Sequence, residues 1–181
     1  ITSAAPRWRG EIAHALGVAT QGSDPARAME LIALAVDLFR HGVRPAREAS
    51  ALHDLAVCEF NVGEGEAAYD HLLAACELAT ASGDDLVTTT VLGTLALVDN
   101  YSGNPDAAQD RLTRMTDIAE RLNNAEALVR AHTIGAQIDA YNGKLLDAAA
   151  HNRKITELFD VASVPVGMRN DVRVELASIL T

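Results

Sequence analysis

The residues able to do chemistry are scattered along the chain and form no known catalytic or metal-binding motif. The histidines never stand four positions apart, so no single helix presents two of them as metal ligands on one face; they are His14, His41, His53, His71, His132 and His151. No G-x-x-x-x-G-K-[ST] phosphate loop, H-E-x-x-H zinc motif or G-x-S-x-G nucleophile turn is present. The sequence therefore predicts a protein that is not an enzyme and that has no cofactor and no metal.

Charge and composition exclude further classes of function. The 181 residues include 25 acids and 15 bases, a formal net charge of -10, so the basic clusters that grip nucleic acid phosphates are missing. No apolar run is long enough to span a bilayer. Cys58 and Cys76 lack C-x-x-C spacing and are expected to be buried free thiols, which fits a reducing compartment. We therefore expect a cytoplasmic protein whose segment contacts neither nucleic acid nor membrane.

One polar feature recurs at a fixed interval, the acids Glu59, Asp99 and Asp139. One interpretation is a ladder of surface carboxylates that attracts a basic peptide or polar ligand. The other, which we favour, is an outward or hairpin-edge position whose acids pair with arginines, because exposed acids are the usual case on helices.

Apolar residues recur every three or four positions, a spacing typical of amphipathic helices. With proline and glycine as boundary signals, the pattern predicts nine helices, at 6–20, 25–41, 45–61, 65–81, 85–101, 105–122, 125–141, 145–161 and 166–180. The connections are short, so neighbouring helices are expected to form antiparallel hairpins.

The helix ends carry their own signals. Asp24 and Asn104 each precede a proline and are predicted to be N-caps. Four glycines are expected to take the left-handed conformation that ends a helix; they are Gly42, Gly83, Gly103 and Gly143.

Several positions repeat at a spacing of 40 residues. The columns are Gly63, Gly103 and Gly143; Ala56, Ala96 and Ala136; and Ala28, Ala68, Ala108 and Ala148. Small residues let the two helices of a hairpin approach closely, and a glycine permits the tight turn between them. Fixed periods of 20–50 residues signal stacked repeats, because one hairpin cannot bury its own apolar face.

These columns resemble the tetratricopeptide repeat (TPR) family, in which a large residue is followed by a Leu-small pair, a turn glycine and a small residue. The second copy carries Leu52, Leu55-Ala56, Gly63 and Ala68, and the third carries Leu92, Leu95-Ala96, Gly103 and Ala108. The fourth, with His132, Gly135-Ala136, Gly143 and Ala148, fits less well.

The resemblance implies an all-α, right-handed superhelix of antiparallel helix hairpins. It places about four repeats at 6–44, 45–84, 85–124 and 125–164, with a capping helix at 165–181, in a single domain that is a fragment of a larger protein. The period is 40 where the family's usual one is 34, acids replace the usual tyrosine, and the end-of-repeat proline is absent. Such long repeats resemble those of large ATP-binding LuxR-type regulators of the MalT-like kind.

In TPR proteins the first helix of each repeat lines a concave groove. Carried over by register, the groove positions are His53, Val57, Phe60 and Asn61; Thr90, Leu97, Asn100 and Tyr101; and Arg130, Thr133, Gln137 and Tyr141. Their aromatic rings, amides and guanidinium group suit a peptide or a small polar effector.

Two functions follow as hypotheses. The first is a ligand- or protein-binding sensor module of a cytoplasmic signalling protein, a bacterial transcriptional regulator above all, that acts on neighbouring domains of the same chain. The alternative is a general scaffold that binds a peptide or helix in the groove.

Overall fold

The computed structural model describes residues 5–161, and every regular element in that range is an α-helix. The helices are α1 (Ala5–Thr20), α2 (Pro25–His41), α3 (Pro45–Val62), α4 (Gly65–Ser82), α5 (Asp85–Tyr101), α6 (Pro105–Arg121), α7 (Ala125–Tyr141) and α8 (Leu145–Val161). Each bound agrees with the sequence prediction to within one residue. The predicted helix 166–180 lies outside the described residues. None of the helices in the described range is long and apolar enough to cross a membrane.

The chain divides into two compact units, residues 1–91 and 92–181, and the boundary falls within α5. In the first unit α1 packs on α2, α2 on α3, and α3 on α4. In the second, α6 packs on α7 and α7 on α8. Turns of two to four residues join consecutive helices, so helices that pack in sequence run antiparallel.

The alanine columns lie where the helices of each unit pack. The exposed fraction is 0% for every member except Ala148, at 3%; the members are Ala28, Ala68, Ala108, Ala148, Ala56, Ala96 and Ala136. Larger side chains fill the remaining core, among them Phe39 and Leu72 in the first unit and Met115 and Ile155 in the second. The prediction that small residues recur at the helix contacts is therefore confirmed.

Six of the seven turns between the described helices, all except the turn after α1, share one backbone feature with a period of 20 residues. A residue in the left-handed conformation lies at each of six positions, namely Val43, Gly63, Gly83, Gly103, Asn123 and Gly143. The prediction was correct for three glycines and wrong for Gly42, whose φ is -80°. The turn after α2 instead places the left-handed conformation on Val43, where φ is 51°.

Val43 is therefore a strained residue, and we expect Val43→Gly to stabilise the protein. A β-branched residue in the left-handed region destabilises the folded state by roughly 1–2 kcal/mol, and glycine would remove that strain. Glycine also gives the unfolded chain more conformational freedom, which offsets part of the gain. Val43 is 84% exposed, so the substitution removes little packing. Urea denaturation should show a free energy of unfolding about 1 kcal/mol higher. In the opposite change, Gly63→Ala, the added Cβ has no atom within 4 Å. The variant should therefore be destabilised only by the φ of 90° at residue 63.

The predicted N-caps behave differently from each other. The Asp24 side chain accepts a hydrogen bond from the Arg27 amide at 3.0 Å, as expected of an N-cap. Asn104 occupies the cap position of α6, but its side chain accepts no capping hydrogen bond. The N-terminus of α6 is instead marked by Pro105 in the first turn of the helix.

Candidate functional site

The repeated acids Glu59 and Asp99 are buried, with exposed fractions of 5% and 1%, and Asp139 is half-buried. Each faces a basic side chain twelve positions later: Glu59 bonds His71 at 2.8 Å, Asp99 bonds Arg111, and Asp139 lies 3.6 Å from His151. The interpretation as an exposed carboxylate ladder is therefore wrong. The favoured interpretation was correct in expecting pairing, but it was wrong about exposure, and two of the three partners are histidines where arginines were expected.

These pairs join the two helices of each hairpin and repeat in register at 71, 111 and 151. The basic column was not recognised in the sequence because its members are of two residue types. The sequence does contain this signal, because a histidine or arginine recurs every 40 residues, each time twelve positions after one of the acids. The pairs therefore link α3 to α4, α5 to α6 and α7 to α8.

A second polar cluster joins α1 to α3. Asp54 lies between two imidazoles, with its carboxylate 2.7 Å from His14 Nε2 and 3.1 Å from His53 Nδ1. Burial alone raises the pKa of Asp54, but the hydrogen bonds from His14 and His53 and the charges of their rings outweigh it and lower the pKa to about 2. The predicted groove residue His53 is thus engaged within the protein.

Acid should weaken the fold through Asp54. Because the pKa of Asp54 lies at about 2 in the folded protein against 3.8 ordinarily, the carboxylate adds stability above about pH 4 that is lost as the pH falls toward 2. The two values correspond to about 2 kcal/mol. Urea denaturation from pH 5 to pH 2 should show that loss in the wild type and a smaller one in Asp54→Asn. The exposed Asp70→Asn is the matched control; if it flattens the pH dependence equally, the assignment to Asp54 is wrong.

The remaining predicted positions on α3 differ in their exposure. Phe60 is half-buried beside Gly65, where an added Cβ would stand 3.7 Å from the phenylalanine ring. Val57 is half-buried, and Asn61 is exposed. These three side chains belong to the first unit and form a mostly apolar helix end.

Several predicted positions on α5 and α7 make local contacts. The Thr90 hydroxyl donates to the Leu86 carbonyl at 3.0 Å, and Arg130 pairs with Glu126 at 3.0 Å. Thr133 is buried and donates to the Val129 carbonyl, so it presents no hydroxyl to a ligand. Leu97 and Gln137 are half-buried.

Three predicted residues are brought together where α5 and α7 end. Tyr101 and Tyr141 are the last residues of these helices, and their rings meet edge to face with centroids 4.9 Å apart. They remain 55% and 64% exposed. Beside them the Asn142 amide donates to Asn100 Oδ1 at 2.8 Å. We call Asn100, Tyr101, Tyr141 and Asn142 the tyrosine–asparagine surface.

Asn100 gives this surface an unusual donor. Its side chain is 4% exposed, and its Nδ2 atom has no hydrogen-bond partner in the described part of the chain. An unsatisfied buried amide costs roughly 1–3 kcal/mol. The exposed aromatic rings next to Asn100 are suited to contact a partner's side chains.

Another polar region lies on the second unit, in a cleft of about 490 Å³. Its lining includes Gln109, His132, Asp139, Lys144, His151 and Lys154. His132 and His151 face each other with their Nδ1 atoms 3.0 Å apart, although no sequence spacing pointed to that pair. Burial, followed by the charges of His151 and Lys154, lowers the pKa of His132, and burial raises the pKa of Asp139. Across residues 5–161, no three His, Cys, Asp or Glu side chains converge as a metal cage.

Part of the chain is similar to a known repeat family. Residues 47–121 match the tetratricopeptide repeat. This range covers the second and third predicted TPR copies, the two in which the family's positions are best kept. No curated protein is significantly similar to the chain in sequence.

A solved structure extends the likeness to nearly the whole chain. Aspartyl phosphate phosphatase F from Bacillus subtilis superposes with a TM-score of 0.78 at 17% identity, over 94% of this chain and 45% of that one. At this identity the similarity shows the fold. The protein therefore has a TPR-like helical repeat fold, as predicted, and it spans less than half the length of that phosphatase.

Proposed function

We propose that this chain is a non-enzymatic interaction module that binds an extended peptide segment of a protein partner on the tyrosine–asparagine surface. The observation that carries the proposal is the exposed Tyr101–Tyr141 pair where α5 and α7 end. The TPR match over residues 47–121 and the TPR-like fold support protein or peptide partners in general.

The chemistry of the surface favours a peptide over a small polar effector. Both tyrosines are more than half exposed, whereas sites for small ligands are concave and enclose most of the ligand. A peptide supplies side chains that can pack on the two rings. Leu145 and Leu146, at the start of α8, follow Tyr141 closely in the sequence and are 66% and 87% exposed. They add exposed apolar side chains for a peptide to contact.

Two other predicted groove residues enter the proposal with smaller roles. Arg130 and Gln137, on α7 of the same unit, would offer polar contacts to more distant parts of a peptide. His53, Phe60, Asn61 and Thr90 lie in the first unit and take no part in this proposal, and His53 and Thr90 are already bonded within that unit.

Selection from a random peptide library tests the proposal. We would display decapeptides on phage, select against the purified wild-type protein, and remove clones that also bind a Tyr101→Ala/Tyr141→Ala double variant. Fluorescence anisotropy of a selected peptide should then show saturable binding with one peptide per chain. The proposal is overturned if every binding clone is retained equally by the double variant.

The setting that we propose is a larger cytoplasmic bacterial signalling protein, with a LuxR-type transcriptional regulator as the first candidate. The buried free thiols Cys58 and Cys76 fit a reducing compartment, and the charge of -10 leaves any nucleic-acid contact to other domains. Peptide binding would then act on neighbouring domains of the same chain. Sequencing the flanking gene regions tests this setting, which requires a phosphate-binding loop upstream and a helix-turn-helix downstream.

A further inference from the structure

The facing histidines of the second unit form an arrangement that the peptide surface does not use. His132 lies on α7 and His151 on α8, and their Nδ1 atoms are 3.0 Å apart. Only one proton fits between two nitrogens at this distance, so one ring donates and the other accepts. A cation able to bind both lone pairs competes with that proton.

The histidine pair occupies a place where the other repeats are apolar. The positions equivalent to His132 are Leu52 and Leu92, and those equivalent to Gly135 are Leu55 and Leu95; all four leucines are buried. A Cβ added to Gly135 would lie 2.5 Å from Cε1 of His151. The fourth repeat has therefore exchanged two core leucines for a histidine and a glycine, and the His151 ring lies against that glycine.

A carboxylate stands behind one of the two rings. Asp139 Oδ2 is 3.6 Å from His151 Nε2. Its charge favours the tautomer with the proton on Nε2, which turns the Nδ1 lone pair of His151 toward His132. A cleft of about 490 Å³, lined by both rings, offers room for water beside them.

The distance between the rings fits a metal ion. Imidazole nitrogens bind first-row metals at about 2.0–2.1 Å, so two nitrogens 3.0 Å apart subtend an angle of roughly 91–97° at the metal. Angles near 90° are typical of Cu²⁺ and Ni²⁺. We propose that His132 and His151 form a two-histidine site for a divalent transition-metal ion, with water in the cleft completing its coordination.

Calorimetric titration of the untagged protein with Ni²⁺ tests this site. The wild type should bind one ion, and His132→Leu should weaken binding at least about tenfold. The equivalent positions in the second and third repeats are Leu52 and Leu92, so the leucine variant should fold. His71→Ala is the matched control, because His71 has the same register and a carboxylate partner but no facing histidine. Its affinity for Ni²⁺ should equal that of the wild type, and Mg²⁺ should not bind.

A spectroscopic measurement separates two-histidine binding from adventitious binding to one imidazole. The electron paramagnetic resonance spectrum of the Cu²⁺-loaded protein should show hyperfine coupling to two nitrogens, reduced to one in His151→Ala. The proposal is overturned if His132→Leu binds Ni²⁺ as tightly as the wild type, or if the Cu²⁺ spectrum shows a single nitrogen.

Discussion

Arg111→Met should lower the free energy of unfolding by about 3–5 kcal/mol, because it leaves the carboxylate of Asp99 buried without its guanidinium. Asp99 is 1% exposed and bonds Arg111 directly across the third hairpin. Urea denaturation at pH 7, with circular dichroism as the probe, measures the change.

Two comparisons isolate the buried pair. Replacing both partners, in Asp99→Leu/Arg111→Met, should recover much of the stability, since an apolar pair of similar volume avoids the uncompensated charge. Arg130→Met breaks the exposed pair with Glu126 and should cost less than about 0.5 kcal/mol. If Arg111→Met costs no more than Arg130→Met, the paired columns do not hold the hairpins together.

The second large effect is expected in binding. Tyr101→Ala and Tyr141→Ala should each raise the Kd of a selected peptide roughly 30-fold, because an aromatic hot spot contributes about 2 kcal/mol and 1.4 kcal/mol is tenfold. The two losses should not add, since the rings touch each other at a centroid distance of 4.9 Å. Fluorescence anisotropy provides the Kd values.

Phenylalanine variants show whether the rings or the hydroxyls carry the contact. Tyr101→Phe and Tyr141→Phe keep the edge-to-face packing and should stay within about threefold of the wild type if the rings do the binding. Glu120→Ala, on the exposed side of α6, is a control that should leave the Kd unchanged. Equal losses in Glu120→Ala and Tyr101→Ala would show that the peptide lies elsewhere.

The helices were predictable because local signals agree at nearly every boundary. Proline at a first turn, as in Pro45, and glycine after a last turn, as in Gly63, act within a few residues and need no tertiary context. Val43 shows where such reasoning fails. The turn after α2 contains a glycine, but the backbone places its left-handed residue one position later, and only the three-dimensional path of the chain decides between them.

Predicting the site from the sequence was harder, because it depends on contacts between helices. Register placed Tyr101 and Tyr141 on equivalent helix ends, and the structure brings them into contact. It also placed Thr133 among the surface residues, whereas a hydrogen bond within α7 keeps that hydroxyl buried. Burial of the acids and the meeting of His132 with His151 depend on which helix faces pack, information that spacing along one helix does not contain.

The central claim is that a peptide binds where α5 and α7 end, and amide NMR tests it most directly. A selected peptide would be titrated into ¹⁵N-labelled protein while the shift of each backbone amide is followed. We expect the largest changes at residues 100–102 and 141–143, with little change along α2. Changes centred on α2, or spread evenly over the chain, would contradict the assignment of the binding surface.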